Sequence, residues 1–136
     1  MRDAKVFLTG VHTGLGHALA GACLDRGAQV WGISRSEPED LAGRDGWNFR
    51  VLDLRWFEEI RLGLEDLLGE VGPLDLAVLN AGVLGPVRDL ADTSLDELRE
   101  VADINLWSNK EILDGLFALG HEPSQVIGIS SGAAKS

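Results

Sequence analysis

Tyrosine is absent from the 136 residues, and cysteine and methionine occur once each. The lone thiol, Cys23, cannot close an internal disulfide, so the disulfide-scaffold class is excluded and a reducing cytoplasm is the expected compartment. Proline is scarce, with four residues against 17 glycines, a balance that favours tight turns over stiff linkers. No stretch approaches the roughly twenty apolar residues that cross a bilayer. Met1-Arg2-Asp3 leads into a short apolar run without the h-region or cleavage site of a signal peptide. Cationic charge is also in short supply: 12 Lys and Arg stand against 22 Asp and Glu, a formal charge of -10. That field repels polyphosphate backbones and anionic lipid surfaces, so neither nucleic acid nor membrane is an expected partner, while a local basic pocket for a small anion stays open. His12, His17 and His121 lack metal-ligand spacing, and no metal is expected. What remains is an ordinary globular composition, 45% apolar and 25% charged, in a length that suits about one domain.

Short apolar runs alternate with longer helical patterns along the chain, the signature of βαβ units and a parallel sheet. Five strands are predicted, at Lys5–Thr9, Gln29–Ile33, Asn48–Leu52, Leu74–Leu79 and Gln125–Ile129, three of them buried on both faces, together with four helices. The first helix opens near Gly14 and stops before Gly27, with Leu15, Leu19, Ala22 and Cys23 on its apolar stripe, which makes Cys23 a core residue. Another runs from about Trp56 to Leu68 with Ile60, Leu64, Leu67 and Leu68 at helical spacing. A longer one opens at Thr93 or Ser94 and reaches Leu119. There Ser94-x-x-Glu97 forms a capping box, in which the Ser oxygen and the Glu carboxylate each accept from an otherwise unpaired backbone N–H. Its apolar face, Leu98, Val101, Ala102, Ile112 and Leu116, is interrupted by Asn105 and Asn109. The polar Ser34–Gly46 segment reads as a surface loop with a helical turn around Glu39–Leu41, and Trp31, Trp47, Trp56 and Trp107 read as packing residues.

The first strand runs straight into Thr9-Gly10-Val11-His12-Thr13-Gly14-Leu15-Gly16 before a helix. Glycines at a strand-to-helix turn let the backbone bend sharply and approach a ligand, and the unpaired N–H groups of the helix start favour a phosphate. A pyrophosphate is the natural guest, although a tight connection alone would need similar residues. The spacing is G-x-x-x-G-x-G rather than G-x-G-x-x-G, and no Gly-Lys-Ser/Thr follows, which excludes a P-loop.

Thr9-Gly10-x-x-x-Gly14-x-Gly16 resembles the cofactor turn of the short-chain dehydrogenase/reductase family. Asn80-Ala81-Gly82 after the fourth strand resembles its Asn-Ala-Gly element, Asp53-Leu54 after the third its adenine-contacting Asp, and Ile129-Ser130-Ser131-Gly132 its serine strand end. The four occur in family order and span essentially the whole chain. The resemblance implies a Rossmann fold, a doubly wound parallel sheet ordered third, second, first, fourth, fifth strand, in which residues 1–136 form a single NAD(P)-binding domain. Gly10, Asp53, Asn80 and Ser131 then stand at carboxyl ends of strands, around one crevice. Asp53 can accept from an adenine amino group, or merely pair with its own turn. Asn80 can act as a loop-start residue, and Gly82 permits close approach to a nicotinamide ribose.

The second strand ends Ile33-Ser34-Arg35-Ser36, with no acid where a ribose 2′-hydroxyl would call for one. A guanidinium beside a hydroxyl suits a 2′-phosphate, so NADP is favoured over NAD, the alternative being that Arg35 is a solvated loop charge. NADP-preferring relatives often carry a basic residue at the place of Thr13; here Thr13 is neutral and His12 stands beside it. On the resemblance, Asn105 matches the Asn that holds a water of the proton relay, or makes a structural polar contact, and Ser131 matches the Ser that orients the substrate oxygen. The family's Tyr and Lys lie about a dozen residues and more beyond that Ser, and the sequence has five residues after Ser131, so neither is expected here and the carboxy-terminal part of the fold is read as missing. The expected function is hydride transfer between NADP(H) and a small carbonyl or alcohol by a cytoplasmic homo-oligomer, with a non-catalytic dinucleotide-binding module as the alternative. The fifth strand is expected to form an exposed apolar edge that promotes self-association and leaves the 136-residue chain without turnover.

Overall fold

The computed structural model describes residues 1–12, 14–80 and 94–129, with 101–105 described through the backbone alone. In chain order the elements are β1 (Lys5–Thr9), α1 (Gly14–Asp25), β2 (Gln29–Ser34), β3 (Trp47–Val51), α2 (Phe57–Leu68), β4 (Leu74–Leu79), α3 (Leu95–Ala118) and β5 (Pro123–Gly128). All strand pairs are parallel, and the order is β3-β2-β1-β4-β5. This is the doubly wound α/β sheet expected from the sequence, with β1 central and the carboxyl ends of all five strands on one edge.

Side chains alternate across a strand, so a central strand needs apolar residues on both faces. Val6 and Leu8 of β1 join Val30, Val78 and the α1 residues Ala20, Cys23 and Leu24. Phe7, between them, points to the opposite face and packs with Ile60, Leu64 and Leu68 of α2 and Ile112 and Leu116 of α3. One face is thus covered by α1 and the other by α2 and α3. Cys23 is a core residue, and burial pushes its thiol pKa up.

Several details differ from expectation. The buried face of α1 is Gly16, Ala20, Cys23 and Leu24, and Leu15 is 53% exposed. Small residues let the helix lie close on the sheet; Leu19 is partly buried against the same cluster, and Leu15 alone of the expected stripe is exposed. Three helices stand among the described residues, and the region around Glu39–Leu41 is a succession of turns. Nor is that loop purely a surface feature: Leu41 is fully buried against the α1 face, and His17 Nε2 on α1 lies 2.9 Å from both carboxylate oxygens of Asp40. β3 starts and ends one residue early, since Trp47 pairs with Val30 while Leu52 turns into the core. β5 begins two residues early because Pro123 pairs with Leu74, a strand start where its missing N–H is tolerated. Trp31 is buried and Trp47 stacks on Phe49 with ring centroids 5.8 Å apart, whereas Trp56 and Trp107 are about half exposed and are not core residues.

The long helix behaves as its sequence predicts at both ends. Ser94 Oγ accepts from the Glu97 N–H at 3.1 Å, and Ile112 and Leu116 are fully buried. Leu98, assigned to the same apolar face, is 41% exposed. β5 stands at the sheet edge with Val126 and Ile127 exposed. Among the described residues no helix is long and apolar enough to cross a membrane.

Leu64 is fully buried between the sheet and α3, whereas Leu62, two residues away on α2, is 66% exposed. Leu64→Ala is expected to cost about 2–5 kcal/mol and Leu62→Ala within about 0.5 kcal/mol, read from urea unfolding midpoints.

Candidate functional site

The carboxyl end of β1 is tied to its neighbours by three hydrogen bonds. The Gly10 N–H donates to the Ile33 carbonyl of β2 at 3.0 Å. From the end of β4, the Asn80 N–H donates to Thr9 Oγ1 at 2.9 Å and its Nδ2 donates to the Gly10 carbonyl at 3.2 Å. Thr9 is fully buried, so its hydroxyl is a fixed part of this junction. Asn80 is therefore a loop-start residue that stabilises the turn, one of its two anticipated roles.

Gly10 and Gly14 adopt φ of +67° and +66°, the left-handed region that glycine enters without a Cβ penalty. Gly16, in the first turn of α1, is needed for a different reason. A Cβ there would run into the Gly10 carbonyl oxygen and come within 2.5 Å of Asn80 Nδ2. The helix start consequently lies against the strand ends, and its first turn contains no acidic residue to oppose an anion. Helix start and strand ends together form a close backbone junction at the carboxyl edge of the sheet.

Farther along the edge stand the ends of β2 and β3. The Leu52 N–H donates to the Ser34 carbonyl at 2.9 Å, which holds the two strand ends side by side. Beyond it, Arg35 is exposed and has no hydrogen bond or ion pair among the described residues. Ser36 Oγ lies 3.1 Å from His12 Nδ1, linking the glycine turn to the loop after β2. Asp53, just past β3, makes the turn anticipated as its alternative role: the Arg55 N–H donates to Oδ1 at 3.0 Å. The Arg55 guanidinium also grips both carboxylate oxygens, with Nη2 2.7 Å from Oδ2. That contact holds the Asp53 carboxyl below the usual carboxylate range, and the charge of Arg35 acts in the same direction. The Leu54 side chain is committed to the core, leaving only its backbone to face a ligand, and Leu15 is exposed at the start of α1.

Thr9, Gly10, His12, Gly14, Leu15, Gly16, Ser34, Arg35, Asp53, Leu54 and Asn80 thus gather along the carboxyl edge of the sheet. Thr13, Ala81, Gly82, Ser130 and Ser131 lie outside the described residues, as does the side chain of Asn105. One turn after Asn105, Asn109 Oδ1 is buried without a hydrogen-bond partner among the described residues. Arg55, Ser36 and the His17–Asp40 contact were not foreseen. The Asp-x-Arg spacing was a readable signal for the first. For His17 the sequence suggests only a test of metal-ligand spacing.

The short chain dehydrogenase family model matches residues 4–136. An uncharacterized oxidoreductase of Schizosaccharomyces pombe is 34% identical over 138 aligned positions, covering 97% of this chain and 55% of that protein. A short-chain dehydrogenase structure from Streptomyces avermitilis superposes with a TM-score of 0.77 at 30% identity, covering 94% of this chain and 49% of its own. One from Burkholderia multivorans, solved with bound NADP, does so at 0.73 and 26%, covering 97% and 60%. The chain spans about half the length of the curated relatives it matches.

Gly16→Ala is expected to destabilise by about 1–3 kcal/mol and to remove dinucleotide binding, because backbone must move to admit the methyl group. Gly21→Ala, on the same helix with nothing within 4 Å of the added carbon, should stabilise by about 0.5–1 kcal/mol. Thermal unfolding and calorimetric titration separate the two. A second expectation concerns acid. The unfolded Asp53 carboxyl titrates near about 3.9; its folded value is depressed. The stabilisation is fully present above the unfolded value and is lost as pH falls through the folded one. Asp53→Asn should therefore flatten the acid limb of stability measured by urea unfolding between about pH 6 and pH 2.

Proposed function

The chain belongs to the short-chain dehydrogenase family, and from that membership we propose that residues 1–136 are a single dinucleotide-binding domain of an oxidoreductase that moves a hydride between NADP(H) and a small carbonyl or alcohol. The observation that carries this reading is the approach of α1 to the ends of β1 and β4, where Gly16 leaves no room for a side chain between the Gly10 carbonyl and Asn80. Such a cradle presents backbone N–H groups to a pyrophosphate at a helix start. When bound, the nicotinamide supplies or accepts the hydride.

The roles proposed for the residues follow from the family resemblance. Thr9, Gly10, Thr13, Gly14, Leu15 and Gly16 form the turn that cradles the pyrophosphate. Asp53 and the Leu54 backbone face the adenine, and Asn80, Ala81 and Gly82 face the nicotinamide ribose. Ser131 orients the substrate oxygen and Asn105 holds a water of the proton relay. Ser34, Arg35 and His12 meet the 2′-phosphate. NADP is favoured over NAD because Arg35 is exposed and unpaired among the described residues, and the loop after β2 offers no acid at the ribose position. The relative from Burkholderia multivorans was solved with bound NADP and one from Leptospira borgpetersenii with bound NAD+, so the choice rests on Arg35. An acidic surface of charge -10 is in keeping with a cytoplasmic homo-oligomer that handles small molecules rather than nucleic acid or membranes.

Arg35→Asp is expected to weaken NADP by several kcal/mol, on the order of a hundredfold or more, because one charge-assisted pair is lost and a repulsion gained. NAD should be nearly unaffected or bind better. Calorimetric titration of both cofactors checks this; equal affinities before and after the change would remove Arg35 from the site. Full-length protein that binds NADP yet oxidises no NADPH with any ketone would be a binding module instead.

A further inference from the structure

Arg35 and Glu37 stand two residues apart in the loop after β2. At the same spacing after β3, Arg55 grips both carboxylate oxygens of Asp53, so an arginine and an acid so placed are within reach of each other. Glu37 is engaged elsewhere: its Oε2 accepts from Trp47 Nε1 at 2.9 Å. Trp47 opens β3, paired with Val30, at the end of the strand remote from the carboxyl edge. Its indole lies over Gly32, where a Cβ would come within 2.6 Å of the ring, and it packs against the apolar cluster on the α1 face. The acid is therefore drawn back toward Gly32, away from the strand end, while Ser36 meets His12 and Arg35 stays exposed and unpaired among the described residues. Asp40, farther along the loop, is taken up by His17, and buried Pro38 stands between Glu37 and Glu39.

We propose that Trp47 is a positioning residue for cofactor choice: by holding Glu37 against the sheet it withholds the acid nearest in sequence to Arg35, and so leaves that guanidinium to a 2′-phosphate. The inference rests on the reading that Arg35 meets the 2′-phosphate of NADP. A released Glu37 carboxylate would compete with the phosphate for the guanidinium and set a negative charge beside it. NAD, with a hydroxyl in that place, loses nothing. The preference for NADP then has two parts, a cation that attracts the phosphate and an indole N–H that keeps a carboxylate from it.

Calorimetric titration of NADP and NAD on the full-length protein gives the ratio of the two affinities. Trp47→Phe keeps an aromatic ring beside Phe49 and removes the indole N–H. It should lower the NADP:NAD ratio at least about threefold, the scale of an exposed ion pair, with NAD affinity and circular dichroism unchanged. Glu37→Ala alone should leave the ratio within about twofold of its original value, because the acid is already withheld, and added to Trp47→Phe it should restore the ratio. Glu37→Asp keeps the charge but is one methylene short of Trp47 Nε1, and should lower the ratio as Trp47→Phe does. A ratio unchanged by Trp47→Phe overturns the proposal, as does a larger rise with Glu37→Ala alone. A lowered ratio that Glu37→Ala does not restore overturns it too, since Trp47 then acts through packing. If Trp47→Phe fails to fold, Glu37→Asp decides, a lowered ratio supporting the proposal and an unchanged one overturning it. Arg35→Ala separates these outcomes from failure of the underlying reading. If the unaltered protein shows no preference for NADP and Arg35→Ala changes neither affinity, Arg35 does not meet the phosphate and the inference falls with that assignment. If Arg35→Ala abolishes the preference and the Trp47 and Glu37 variants preserve it, only the role of Trp47 is refuted.

Discussion

The first turn of α1 rests on the ends of β1 and β4, and that contact has space for a hydrogen atom only. Gly16 meets the Gly10 carbonyl there, and Asn80 closes the contact by donating to the same oxygen. Most of the site depends on this approach. It aims the helix start at the carboxyl edge of the sheet, it requires Gly10 to bend with positive φ, and it selects the small-residue face of α1 for burial. A larger residue at position 16 would lift the helix and separate the two strand ends from which the cradle is built.

Rigidity behind the edge comes from the two apolar faces of β1. Val6 and Leu8 lock the strand to α1 while Phe7 locks it to α2 and α3. Fully buried side chains on both sides leave the strand one register, since a slip of one residue would exchange the two faces. The loop after β2 is held differently. Leu41 anchors it in the core, His17 meets Asp40, and Ser36 meets His12. Polar contacts at an exposed surface are weaker constraints than core packing, so the part of the edge assigned to the cofactor phosphate is the more adaptable one.

The order of the strands and the place of the glycine turn were legible in the sequence because both depend on patterns repeated along the chain: apolar runs separated by helical periods, and glycines confined to a strand-to-helix turn. Local choices among competing side chains were less so. Leu15 reads as part of the buried stripe of α1 with Leu19 and Cys23, yet it is exposed while Gly16 and Ala20 are buried, a preference visible only once the distance from helix to sheet is known. Trp56 and Trp107 looked like core residues by type, and their exposure depends on where α2 begins and which face α3 presents. Asp53 was recognised as a strand-end acid, but its partner Arg55 was overlooked, because a charged residue two positions along a turn reads in isolation as a solvated side chain.

Net charge and local charge act on different scales, which reconciles an acidic chain with the anionic guest proposed for it. Charges farther apart than a Debye length, about 8 Å at physiological salt, are largely screened from one another at a surface. What a phosphate meets is therefore set by the few groups nearest it. Along the carboxyl edge those are the N–H groups of the α1 start, Arg35, and an Asp53 whose charge is already matched by Arg55. Arg44, Arg50 and Lys110 are engaged elsewhere, with Asp25, Asp66 and Asp114. Asp53 has its own partner in Arg55, and among the described residues no ion pair joins it to Arg35. A chain with 22 acids and 12 bases can then present a guanidinium that is unpaired among the described residues at the edge where the parallel strands end.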